Sequence, residues 1–209
     1  MTLLETIRKN KALNMLLLQE CDIYFYEQIQ KVQFSDHGET YSLSCQAFAQ
    51  DGSGGEYVFL EEGSIGFISS EGEVGRVSES LKDLLTFLIH AGCLSDFSCK
   101  HFYKSEVLLE KFCTNYLLKI REDYKERGQS WDEVRGRLAL ALGLSFHPET
   151  LSTWAMQFYK ATIREPAFSC HYLDGEKDYR CDSVLSDSVG MWTMQLVGMS
   201  REEIENYSD

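Results

Sequence analysis

Four donors that metal ions favour stand close together: His90, Cys93, Cys99 and His101 fall within twelve residues. Zinc takes imidazole nitrogen and thiolate sulfur in a tetrahedron, and His-x2-Cys is a plausible bite. The second half, Cys-x-His, departs from zinc-knuckle spacing, and cysteine commonly packs as a small hydrophobe. Ordinary packing with a helix-end histidine is the expected role, and no metal is expected. Cys170 and His171 are adjacent, but neighbours on a strand point to opposite faces, so a core thiol beside a surface imidazole is expected and not a dyad. Neither a Gly-x-Ser-x-Gly elbow nor His-Glu-x-x-His occurs. The pairs Glu61–Glu62 and Glu71–Glu73 could do acid–base work, yet they fall on turns, where solvated charges without the burial that acid–base work needs are expected. Gly52, Gly54 and Gly55 could form an anion nest. The Lys-Ser/Thr ending of a phosphate loop is missing, and Asp51 and Glu56 would repel phosphate, so a flexible strand-entry loop is expected there. These residues lead to no catalytic group and no cofactor.

Charge points to a different kind of chemistry. The 209 residues carry 33 acidic and 20 basic side chains, a net charge of -13. Residues 1–99 hold 15 acids against 6 bases, and residues 100–209 hold 18 against 14. Such a surface excludes non-specific nucleic-acid binding, which depends on basic side chains neutralising phosphate. It is suited to a basic protein partner. Asp51, Glu56, Glu61, Glu62, Glu71 and Glu73 are the residues expected to meet that partner, the plain alternative being solubility at exposed turns. The seven cysteines are an odd number, and the first dozen residues have no apolar core of a leader. Reduced thiols and a cytoplasmic home are expected. Apolar runs are far shorter than the ~20 residues of a membrane span, so no membrane partner is expected.

The elements that must carry these residues change character near residue 100. Leu4 to Leu18 predicts one opening helix. Tyr41, Leu43, Cys45 and Ala47 alternate as a half-buried strand does. Tyr57–Leu60 and Ile65–Ile68 flank a glycine hairpin, and a turn at Glu71–Gly72 leads to Val74 and Val77. Ser78 then caps a helix whose Leu81, Leu84, Leu85 and Leu88 form one stripe, with Gly92 as its stop. Later stripes predict helices through Val107–Ile120, from Ser130 to Leu142, from Pro148 through Thr162, and after Ser200. Residues 165–185 show no clear period. Trp131, Trp154 and Trp192 are expected in the core, whereas an exposed Met191–Met199 segment would be a partner surface.

The order of pieces over residues 48–89 is the distinctive feature: a DGSGGEY loop entering a strand, a glycine hairpin, an EGEVG turn, then a helix starting SESLKDLL. This order resembles the SUKH superfamily, which includes fungal regulators of cell-wall synthesis and bacterial immunity proteins for polymorphic toxins. The expected fold is α+β: an antiparallel sheet with flanking helices over residues 1–99, then a mainly helical extension over 100–209, packed as one unit. The resemblance implies a non-enzymatic protein-binding module, an immunity protein whose acidic face occludes a basic toxin. A regulatory or scaffold protein binding through its helical half is the second reading. An enzyme with an unrecognised site is the third.

Overall fold

The computed structural model describes residues 2–32 and 38–208. The opening apolar stretch folds as two helices, α1 (Leu3–Lys9) and α2 (Lys11–Cys21), not one. Asn10 makes the break. Its extended backbone ends α1, and its side chain accepts the Leu13 amide to start α2. Asn14, buried on α2, then holds both the N–H and the carbonyl of Phe25 at 2.8 Å. That bidentate contact fixes strand β1 (Tyr24–Gln30), whose mostly exposed face left no alternating signal in the sequence.

Strand β2 (Thr40–Tyr41) is short and belongs elsewhere; β3 (Cys45–Gln50), β4 (Glu56–Leu60), β5 (Ile65–Ile68) and β6 (Val74–Ser78) join β1 in a five-stranded antiparallel sheet of order β1-β3-β4-β5-β6. Helix α3 (Leu81–Ala91) follows, capped by Ser80 through the Asp83 amide. Ser78 was the expected cap, but it ends β6, and its buried hydroxyl donates to the Ser80 carbonyl. The helical part comprises α4 (Glu106–Glu126), α5 (Trp131–Leu142), α6 (Leu151–Thr162), α7 (Met191–Val197) and α8 (Arg201–Glu205). Pro148 opens a short 3-10 turn, and α6 begins only at Leu151. The stretch that carried no period supplies β7 (Cys170–Asp174) and β8 (Lys177–Arg180), which form a second sheet with β2. Among the described residues, no helix is long and apolar enough to cross a membrane.

Both faces of the main sheet are covered. Phe48, Tyr57, Ile65 and Val77 face a large core with Leu84, Leu88 and Phe158. Ala47, Val58, Leu60, Ile68 and Val74 face a smaller outer core closed by Phe168 and Cys170. Gly66 makes the second layer possible. A Cβ there would stand 2.6 Å from the Phe168 ring, so only a bare backbone lets the ring lie on the strand.

The two parts of the chain are interlocked. Thr40 pairs with His171 across β2 and β7, and the large core runs from Ile7 to Ile204. The strongest tie is Arg76 on β6, whose side chain is wholly buried. Its guanidinium donates to Ser64 Oγ at 3.0 Å, Glu62 Oε1 at 2.8 Å, and the carbonyls of Arg164 and Pro166 at 2.9 Å each. Removing one partner of a buried pair leaves the others without a donor and costs about 3–5 kcal/mol. Arg76→Ala should therefore lower unfolding stability in urea by about that amount. A loss below about 1 kcal/mol would show that the tie is replaceable by water.

Candidate binding cleft

The six carboxylates expected to share a face do not share one. In an antiparallel meander successive turns lie at opposite ends of the sheet. Asp51, in the loop between β3 and β4, is at the same end as Glu71 and Glu73, between β5 and β6. Glu61 and Glu62, between β4 and β5, are at the other. Glu56 is not on a turn at all. It opens β4, is 1% exposed, and accepts the Tyr26 hydroxyl at 3.1 Å. Glu62 is committed to structure: it accepts from Arg76, from Arg164 at 3.0 Å and from Ser64 at 2.8 Å. Burial alone would raise its pKa, but the hydrogen bonds from Ser64 and Arg76 outweigh burial and hold it at about 2. Glu61, Glu62 and Glu71 keep the exposed turn positions that the sequence suggested, but Glu62 is engaged by arginines there.

The end that holds Asp51 contains a cleft of about 170 Å³, similar to cavities of about 150 Å³ that accept a benzene-sized group. Asp51 shapes its rim. One carboxylate oxygen accepts the Ser53 and Gly55 amides at 2.9 and 2.7 Å, folding the loop back on itself. Asp22, a non-glycine residue with φ of 50°, accepts the Gly52 amide at 2.9 Å and so ties the start of β1 to the same loop. On the other side Glu73 is hydrogen-bonded by the Ser69 hydroxyl. The cleft is thus bordered by three carboxylates, Asp22, Asp51 and Glu73, and among the described residues no lysine, arginine or histidine lines it. Phe67, Leu94, Phe158 and Val184 supply the apolar wall.

Tyr57 forms the floor. It is 1% exposed and lines the cleft, yet its phenol makes no hydrogen bond among the described residues. Burial drives its pKa far up, and the nearby charges of Asp51 and Asp22 push the same way. The hydroxyl stays neutral and can both donate and accept. Burial also lifts Asp51 above the usual carboxylate range, the Asp22 charge adding to it against the loop amides. A positive group entering here would relieve both effects, and the rings of Tyr57 and Phe67 would add cation–π attraction. The arrangement can hold an ammonium or guanidinium.

The sequence pointed to Asp51 and Glu73 but not to Asp22, Tyr57 or the apolar wall. Those are brought together from the end of α2, β4, β5, the Leu94–Ser98 turns, α6 and the strap after β8, and no local pattern announces such a meeting. The possible metal ligands do not converge: no group of three His, Cys, Asp or Glu residues that could hold a metal occurs among the described residues. His90 is buried between Phe146 and Trp154, with Nδ1 on the Thr86 carbonyl and Nε2 accepting the His147 amide. His101 Nε2 lies on the Asp187 carbonyl. Trp131 is in the core, as expected, but Trp192 is 38% and Met191 76% exposed. No family model matches the chain, and neither the curated proteins nor the solved structures contain a match.

Two measurements test this geometry. Because the Tyr57 phenol is unbonded, Tyr57→Phe should change stability by less than about 0.5 kcal/mol, whereas loss of an internal hydrogen bond would cost about 1. Glu62, depressed from an ordinary 4.5 to about 2, contributes stability that is complete above its unfolded value and is lost as pH falls through about 2. Glu62→Gln should flatten that acid limb of the stability profile. An unchanged limb would mean that Glu62 is not held by Arg76 in solution.

Proposed function

We propose that this protein is a non-enzymatic binding module that receives a lysine or arginine side chain of a basic protein partner in the cleft floored by Tyr57. The observation that carries the reading is the combination of three carboxylates, no lining cation among the described residues, and a phenol at the cleft that makes no hydrogen bond there. A cation is the group that such a site lacks. The surrounding charge would speed encounter, and the cleft would fix the register of docking. The resemblance of residues 48–89 to the SUKH superfamily supports the narrower reading of an immunity protein, with a basic toxin as partner. Seven unpaired thiols accord with a cytoplasmic setting.

The exposed Met191 and Trp192 favour a second reading, a regulatory or scaffold contact through the helical part. One experiment separates the two. A basic partner captured from the source cells is purified, and its association rate is measured against three variants: Glu71→Lys with Glu73→Lys, Asp123→Lys with Glu126→Lys, and Glu61→Lys alone. The first pair should slow association by about tenfold and flatten its salt dependence, with the others near wild type. Equal losses in the first two would reduce the effect to net charge. If none of the three changes the rate while Trp192→Ala does, the helical surface is the site.

A further inference from the structure

The hairpin of β7 and β8 carries a second chemistry, independent of the cleft's proposed partner. Its register pairs Tyr172 with Tyr179 and His171 with Arg180, so one step further Cys170 stands opposite Cys181. The Cys181 N–H donates to the Cys170 carbonyl at 2.9 Å, marking a hydrogen-bonded cross-strand position with Cα atoms about 5.5 Å apart. Disulfides span Cα separations of about 4.4–6.8 Å. The Cys170 thiol now donates to the carbonyl of its neighbour His171 at 3.6 Å. The backbone is therefore already placed for a bond that has not formed, since all seven cysteines are free.

The two thiols differ in access. Cys170 is 1% exposed and belongs to the outer core with Phe168, whereas Cys181 is only partly buried at its edge. Burial pushes the Cys170 thiol up to about 12, and its contact with Cys181 adds to this. Cys45 also packs on the outer core, but it lies on β3 opposite Leu60 and not opposite a thiol.

We infer that Cys170 and Cys181 are a built-in oxidation site, which closes to an intrachain disulfide when a hydroperoxide reaches Cys181. The Cys181 thiolate attacks the peroxide oxygen, the O–O bond breaks, and an alcohol, or water from hydrogen peroxide, leaves with a proton. The resulting sulfenic acid is attacked by the sulfur of Cys170. The S–S bond forms, the S–O bond breaks, and the Cys170 proton leaves with the hydroxyl as water. Two thiols lose two electrons and the peroxide gains them. The bond would anchor the start of the strap that runs on through Asp182, whose carbonyl accepts the Val74 amide at 2.8 Å, to Val184 in the cleft wall.

The test uses the full chain, reduced, desalted and exposed to equimolar hydrogen peroxide, then alkylated and mapped by mass spectrometry without reductant. Reactive thiols in denaturant should fall from seven to five, with one crosslinked peptide pair, Cys170 to Cys181, two hydrogens lighter than its reduced parts. Cys181→Ser should abolish the crosslink. Cys170→Ser should leave a sulfenic acid at Cys181 that dimedone traps. The wild-type map stands even if a variant folds poorly. A crosslink through Cys45, full alkylation of both residues after peroxide, or Cys181 as uncrosslinked sulfinic acid would each overturn the inference.

Discussion

A single buried guanidinium sets the terms for the rest of the molecule. Arg76 has given up water completely, and an ion in that position is tolerable only where its donors are met. Glu62 and Ser64 come from the neighbouring β4–β5 turn, and the carbonyls of Arg164 and Pro166 come from the chain leaving α6. Two needs are met together. The charge finds acceptors, and backbone carbonyls that are led across the sheet find a donor where strand pairing offers none. Arg164 adds a second clasp, reaching Glu62 at 3.0 Å and Glu79 at 2.9 Å. With that crossing fixed, Phe168 is delivered onto Gly66 and β7 onto β2.

The outer layer explains why a sheet that reads as half-buried is covered on both faces. Antiparallel sheets commonly leave one face to water. Here the second face is closed by a short sheet and a few large side chains, so the inner face with α3 and α6 becomes only one of two cores. The cleft follows from this closure. Its sheet-end loops are contributed by the first half of the chain, but Phe158 and Val184 come from the second. A cleft of that construction exists only in the assembled fold, which ties its shape to the same contacts that Arg76 maintains.

Local physics made much of the framework legible. Strands β4, β5 and β6 and helices α3, α4 and α5 follow from alternation, turn glycines and apolar stripes, because those signals act over a few residues. Residues 170–180 were not legible, since β8 is exposed throughout and β7 nearly so, and such strands are held by pairing and not by a buried stripe. β1 was missed for a related reason: its anchor is the Asn14 side chain on another element. Ser78 was misplaced as a cap because a serine two residues before the true cap satisfies the same local pattern. At the cleft only Asp51 and Glu73 could be named beforehand. Tyr57 looked like an ordinary strand aromatic, and its free hydroxyl is a property of what surrounds it.

Net charge proved a poor measure of acidic surface. Of the six acids, Glu56 is inside the fold, Glu62 is bound to two arginines, and Asp51 spends one oxygen on its own loop. Counting them equally treats internal ligands as free surface. The more informative quantity is the local imbalance, the number of carboxylates lining a concavity less the cations that line it too. By that measure the end of the sheet with Asp22, Asp51 and Glu73 stands apart, because among the described residues nothing positive lines the cleft there. The opposite end, with Glu61 and Glu62, is nearly neutralised by Arg76 and Arg164. Carboxylates that already have a cation gain little from a second one, whereas those in a partly desolvated cleft gain most when one arrives. The same acidic composition therefore yields one end whose carboxylates serve the fold through arginines and one whose carboxylates line a cleft without a cation among the described residues.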